Sequence, residues 1–290
     1  MNIIHTPSEM QAWAQACRRQ GQRIGFVPTM GCLHAGHLSL VRLARRHADR
    51  IVVSIFVNPT QFGPHEDFSR YPRPFENDRA LCEAEGVDVL FHPSPETMYA
   101  QDRSTWVDDS ALSTGLCGAS RPGHFKGVLT VVAKLFNLVL PDVSIFGQKD
   151  AQQARLIQRM VRDLNFPLEI ILAPILREPD GLAMSSRNIY LSATERKDAL
   201  CLVQALCLAR DRYRNGERTA APIIAGLRRH LSETSSAAVD YVALVDDVTL
   251  QPVERLDAPA LIALAVRIGK TRLIDNLMLP DPTLCSLPMN

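Results

Sequence analysis

The chain has 290 residues, 46% of them hydrophobic and 22% charged, with a formal net charge of +1. That length allows one large domain or two unequal ones. The near-neutral balance argues against nucleic acid as a partner, and the longest apolar run, Gly127 to Leu140, is too short and too interrupted by Lys134 and Asn137 for a bilayer, which takes roughly 20 residues.

Met1 to His5 lack the apolar core of a signal peptide and lead into a polar, helix-like stretch. Apolar segments at 24–27, 51–57, 87–91, 143–146 and 168–172 read as buried strands. Helical patterns fall between them, near 36–49, 76–86, 126–140 and 150–165. Strands alternating with helices in this way predict a parallel sheet covered on both faces, with ligands bound beyond the C-terminal strand ends. The unusual loops lie there, at 28–37, 58–63 and 147–150.

After about residue 177 the texture changes. Ser192 and Glu195 have capping-box spacing and open a long helix through about Arg214. A second helix is expected from Ala220 to Leu231, then strands near 239–245 and 260–268, then a Pro-rich tail. The expected division is 1–177, an α/β domain, and 178–290, a small α+β domain. Seven cysteines, odd in number and without a Cys-x-x-Cys pair, fit free thiols in a reducing cytoplasm.

Four groups of residues carry chemistry. His34 and His37 lie where a strand passes into a helix, among unpaired backbone N–H groups that favour an anion. They suit phosphate; a metal would need a third ligand, and a purely structural role is the other alternative. The helix dipole favours neutral rings, each able to donate an N–H. Ser185, Ser186 and Arg187 supply hydroxyls and a planar cation matched to phosphate, or else an ordinary capped loop. Lys149 is placed as a point charge on phosphate beside Asp150, in what is otherwise a plain strand-to-helix turn. Gln61 and Gln153 offer donors and acceptors to a hydroxyl-bearing acid, or are surface residues. Gly269-Lys270-Thr271 looks like the end of a P-loop, but Leu264 stands where the first glycine belongs.

Five blocks in order resemble the pantothenate synthetase (pantoate–β-alanine ligase) family. They are Pro-Thr-Met-Gly-x-Leu-His-x-Gly-His at 28–37, Phe-Val-Asn-Pro-Thr-Gln-Phe at 56–62, Arg-Pro-Gly-His-Phe at 121–125, Phe-Gly-x-Lys-Asp-x-Gln-Gln at 146–153 and Asp-Gly-Leu-Ala-Met-Ser-Ser-Arg-Asn at 180–188. The resemblance implies a Rossmann-like, doubly wound domain of nucleotidyltransferase type, a smaller C-terminal domain able to close over the site, and a homodimer. It implies that ATP and pantoate give pantoyl adenylate and pyrophosphate, after which β-alanine displaces AMP. Met30, Gly31, Cys32, Leu33, His34, Ala35, Gly36 and His37 would line the ATP site, with His37 in the position of the family's proton donor. Gly147, Gln148, Lys149, Asp150, Leu176, Met184, Ser185, Ser186 and Arg187 would also hold ATP, and Mg²⁺ would arrive with the triphosphate. Gln61 and Gln153 would contact pantoate, and Gln61 would lie near β-alanine.

The chain departs from the family at Gln148, usually Glu, and at Ala35, commonly Glu or another polar residue. The same triphosphate grip would serve a nucleotidyltransferase acting on a phosphate ester, a tRNA-charging enzyme, or a nucleotide sensor without activity. Pyrophosphate exchange that requires pantoate separates the ligase from all three.

Overall fold

The structure, a computed structural model, describes residues 1–280. The Pro-rich tail and Cys285 lie outside the described residues. The chain forms two compact units. The first comprises Met1–Ser110, Arg121–Gln148 and Gln153–Pro174. The second comprises Ala111–Ser120, Lys149–Gln152 and the chain from Ile175 onward.

In the first unit, six strands form one parallel sheet: β1 (Asn2–Ile4), β2 (Ile24–Thr29), β3 (Arg50–Ile55), β4 (Val89–Phe91), β5 (Val143–Gly147) and β6 (Glu169–Ala173). Their spatial order is β1-β4-β3-β2-β5-β6. The helices along this stretch of the chain are α1 (Pro7–Arg19), α2 (Ala35–Ala44), α3 (Phe75–Ala84), α4 (Pro95–Met98), α5 (Leu116–Ser120), which belongs to the second unit, α6 (His124–Val139) and α7 (Ala151–Asp163). Val27, Val53, Leu90 and Ile145 pack with Leu40, Val41 and Ala44 of α2 and Cys82 of α3. The alternate strand positions Phe26 and Phe146 instead meet Phe136 of α6, with ring centroids 6.4 Å apart in both pairs. Both faces are therefore apolar, which is why the strands read as continuous hydrophobic runs. The strand order reverses between β2 and β5, the position where such sheets open a crevice at their C-terminal edge.

The second unit holds α8 (Ala193–Asp198), α9 (Cys201–Arg214) and α10 (Ala220–Ser232), and an antiparallel sheet of β7 (Ala237–Asp246), β8 (Ala260–Ile268) and β9 (Thr271–Leu279). Ile262, Leu264 and Val266 of β8, with Leu273 and Leu277 of β9, pack on Leu202 and Leu206 of α9 and on Ile223 and Leu227 of α10. A Rossmann-like α/β sheet followed by a small α+β part is as the sequence predicts.

Several elements differ from the expectation. β1 and β9 are additional strands, and α4 and α5 additional helices. The helix expected over 36–49 ends at Ala44. The helix expected from Ser192 to Arg214 breaks after Asp198, where Leu200 N donates to Lys197 O and Leu202 N to Ala199 O, a tightening to i→i+3 bonds that no Gly or Pro announces. The apparent P-loop remnant is a two-residue hairpin: Ile268 pairs with Thr271, and Gly269 takes φ +55°.

Candidate active site

The loop leaving β2 is held from below by one carboxylate. Cys32 N and Leu33 N donate to Asp78 Oδ2 and Oδ1 at 2.8 and 2.7 Å. Asp78 sits on α3 and is 1% exposed. Burial raises its carboxyl above the ordinary value, while the two amides pull it partly back. Gly31 adopts φ +83°, and a Cβ there would stand 2.9 Å from Asp78 Oδ2 and from Ile55 Cγ2. Glycine is required on both counts.

This anchored turn delivers His34 as the N-cap of α2. His34 Nδ1 accepts from Gly36 N at 3.1 Å, and His37 Nδ1 accepts from His34 N at 3.4 Å. Two imidazoles thus form a reciprocal capping box. A ring nitrogen that accepts carries no proton, so each ring is the neutral tautomer bearing its hydrogen on Nε2. The rings lie 4.1 Å apart between centroids, a spacing that opposes charging both. The helix dipole is the reason the sequence offers for neutral rings; the cap that sets the tautomer is a finding of the structure.

Gln61 is fixed on both its amide and its backbone. Asn58, 1% exposed, donates from Nδ2 to Gln61 Oε1 at 3.0 Å and to Gly127 O at 3.2 Å. Tyr99 OH donates to Asn58 Oδ1 at 2.8 Å. The Gln61 amide oxygen is therefore engaged, and its Nε2 is 3.2 Å from Met30 Sδ. Gln61 presents donors rather than the mixed set that its residue type allows. The Arg-Pro-Gly-His-Phe block grips the Gln61 carbonyl: His124 Nδ1 donates to it at 2.8 Å, and Arg121 Nη1 donates to His124 Nε2 at 2.9 Å. Arg121 is itself paired with Glu66 by two bonds of 2.6 Å. Burial raises the Glu66 carboxyl, but the Arg121 guanidinium outweighs it and holds the group below its ordinary value.

The loop after β5 carries Gly147 and Gln148. Gln148 Oε1 accepts from Arg155 Nη1 at 2.9 Å, a contact that an uncharged amide oxygen can make in place of a carboxylate. Gln153 is half-buried on α7.

The second unit holds the other residues singled out in the sequence. Arg177 and Ala183 form a β-bridge, and Met184 N donates to Leu176 O at 3.0 Å, so Leu176 and Met184 face one another across a hairpin whose tip, Gly181, has φ +94°. Ser185 Oγ accepts from Arg187 N at 3.2 Å, capping the short turn Ser186–Tyr190 and leaving its own proton as a donor. Glu178 ties this turn down by accepting from Asn188 Nδ2 at 2.7 Å and Arg196 Nη2 at 2.6 Å. Arg177 is paired with Asp275 through two bonds of 2.7 and 3.0 Å. Asn276 Nδ2 donates to Lys149 O at 2.9 Å. Asp78, Asn58, Asp275 and Asn276 escape the sequence reading. The signal available for Asp78 is its place one turn before Cys82 on the buried stripe of α3.

A family profile described as pantoate-beta-alanine ligase matches residues 2–278. The chain belongs to the pantoate–β-alanine ligase family. All five sequence blocks fall inside the match. A pantothenate synthetase from Thermotoga neapolitana is 58% identical over 279 residues, covering 96% of this chain and 100% of that one. The crystal structure of pantothenate synthetase from Thermus thermophilus superposes with a TM-score of 0.91 at 47% identity, covering 96% of this chain and 99% of that one. A pantoate-beta-alanine ligase from Francisella tularensis, described as complexed with beta-gamma ATP and beta-alanine, gives a TM-score of 0.79 at 34% identity, covering 96% of this chain and 97% of that one.

Two predictions arise from the anchors. The folded Asp78 carboxyl is raised, so its ionised form costs stability at neutral pH, and that cost is relieved as pH falls through the folded value. Protonation also weakens its grip on Cys32 and Leu33. Pyrophosphate exchange is therefore expected to fall on acidification above the ordinary aspartate range while thermal stability does not. Asp78→Asn should lower exchange at neutral pH and abolish that acid limb; an unchanged pH profile in the variant contradicts the anchor role. At Gly127, a Cβ would overlap the Thr60 carbonyl oxygen and come 2.7 Å from Gln61 N. Gly127→Ala is expected to cost about 1–3 kcal/mol in urea unfolding and to raise KM for pantoate more than KM for ATP.

Proposed function

We propose that the chain joins (R)-pantoate to β-alanine through a pantoyl adenylate, consuming ATP and releasing pyrophosphate and then AMP. In the first step a pantoate carboxylate oxygen bonds to the α-phosphorus while the bond to the bridging oxygen breaks and pyrophosphate leaves. In the second step the β-alanine nitrogen attacks the acyl carbon, AMP departs and the nitrogen loses a proton. Neither step needs a protein nucleophile; both need positioning and stabilisation of oxygen-borne charge.

The carrying observation is the reciprocal imidazole cap at a helix N-terminus, in which each Nδ1 accepts and the hydrogen of each neutral ring sits on Nε2. His34 and His37 are assigned to oxygens on the α/β side of ATP. Lys149, Ser185, Ser186 and Arg187 are assigned to the outer phosphates, with Met30 to Ala35, Gly36, Gly147, Gln148, Asp150, Leu176 and Met184 around the nucleotide. His37 as hydrogen-bond donor fits its tautomer better than full proton transfer does. Gln61, with its amide oxygen held by Asn58, donates to pantoate and lies near β-alanine; Gln153 is the second pantoate contact. Mg²⁺ is carried in with the triphosphate as part of the substrate. The Francisella relative, described with a nucleotide and beta-alanine, supports this pairing of ligands.

A homodimer, a cytoplasmic setting and a division near residue 177 belong to the same proposal. The test is isotope exchange between pyrophosphate and ATP without β-alanine. Exchange that requires pantoate, with AMP release requiring both acids, is expected. Exchange independent of pantoate, or nucleotidyl transfer to a phosphate ester, overturns the reading.

A further inference from the structure

Two neighbouring residues of β9 each hold one of the phosphate-binding elements of the second unit. Consecutive strand residues point to opposite faces of a sheet. Asp275 shares its face with Leu273 and Leu277, in the core against α9 and α10. There it is 3% exposed and takes both Nη atoms of Arg177, whose Nη1 also donates to Gly181 O at 3.0 Å. That grip fixes the hairpin from which Met184 to Arg187 emerge. Asn276, 4% exposed, points to the opposite face and donates to Lys149 O. The same face is covered by other distant segments: Tyr241 OH lies 3.2 Å from Cys117 Sγ, and Gln152 Nε2 donates to Leu112 O and Gly115 O at 2.8 Å.

We propose that Asp275 and Asn276 are positioning residues that set the span between Lys149 and the Ser185–Arg187 turn, so that one rigid strand registers both cationic groups against a single triphosphate. The inference deepens the ligase reading and rests on its assignment of those two elements to phosphate. Two polar residues buried side by side in a strand have this use without touching substrate. A backbone carbonyl held by a side-chain amide leaves the Lys149 ammonium unencumbered while fixing the point from which it reaches.

The test is a double-mutant cycle between Asn276 and Lys149, read by pantoate-dependent pyrophosphate exchange with thermal midpoints measured in parallel. Asn276→Asp keeps the side-chain shape, removes the donor and sets an oxygen against the Lys149 carbonyl. Asn276→Ala removes the whole carboxamide without adding a repulsive oxygen and carries the cycle if the aspartate variant does not fold. Either is expected to lower exchange about tenfold through KM for ATP, with KM for pantoate unmoved. Lys149→Ala is expected to lose about 10²–10³. In the double variant the position-276 change should then add almost nothing, because its effect passes through Lys149. Losses that multiply, or position-276 variants within twofold of the unsubstituted protein, overturn the proposal.

The same cycle read by equilibrium binding of Mg-ATP does not require the reaction. Coupling in binding, in a protein without pantoate-dependent exchange, overturns the ligase reading and leaves the positioning role standing. Independent losses in binding overturn the positioning role whatever the activity.

Discussion

Replacing His37 with asparagine is expected to lower pantoate-dependent pyrophosphate exchange by about 10²–10³, the effect of losing one preorganised donor, equivalent to about 2.7–4 kcal/mol of transition-state stabilisation. The choice of asparagine separates the two jobs of the ring. His37 Nδ1 caps α2 by accepting from His34 N, which leaves the ring hydrogen on Nε2. Asparagine Oδ1 can occupy the place of Nδ1 but supplies nothing in the place of Nε2. His37→Asn should therefore stay near the parent in stability and still be inactive. His37→Ala should be equally inactive and less stable by about 1 kcal/mol, the ordinary worth of a cap. An asparagine variant within a few-fold of the parent in exchange would leave the cap as the only role of His37.

Asp275→Asn is expected to be the most destabilising single change in the second unit. The Asp275–Arg177 pair is nearly sealed from solvent, with side chains 2% and 11% exposed. Removing one charge strands a buried guanidinium, a loss of about 3–5 kcal/mol. For a unit of this size that lowers Tm by roughly 6–20 °C. A double replacement of Arg177 and Asp275 by apolar residues of similar volume should recover much of the loss in Tm. It should not recover exchange, because the hairpin bearing Ser185 to Arg187 would have lost its anchor on Gly181. Calorimetry on the single and double variants checks the first part and exchange the second. A single variant within 2 °C of the parent would show that the pair contributes little.

The parallel sheet was readable because β2, β3 and β5 are buried on both faces and appear as short, mostly apolar runs. β1 was not readable: three residues at a sheet edge carry too little pattern to register. β9 was hidden for a different reason. Arg272, Asp275 and Asn276 interrupt its apolar alternation, and what makes them tolerable inside a sheet is a set of partners far away in sequence, namely Asp240, Arg177 and Lys149. The site divides in the same way. His34, His37 and Ser185 to Arg187 stand out in the sequence because their residue types suit phosphate and lie at short spacing. Asp78 acts through contacts closed by the fold, 46 residues from Cys32, and Asn58 joins a local bond to Gln61 with one that reaches 69 residues to Gly127. Arg121 and His124 stand between these extremes. Their block was visible as a motif, but its use, to hold the Gln61 carbonyl, needed the packing of α6 against residues 59–61.

The most direct test of the two-imidazole account is ¹⁵N-resolved NMR of the histidine side chains, with and without Mg-ATP. The account predicts that His34 and His37 are both neutral with the proton on Nε2 near pH 7, and that both Nε2–H resonances shift when the nucleotide binds. Either ring carrying its proton on Nδ1, or Nε2–H signals indifferent to a saturating nucleotide, would contradict it.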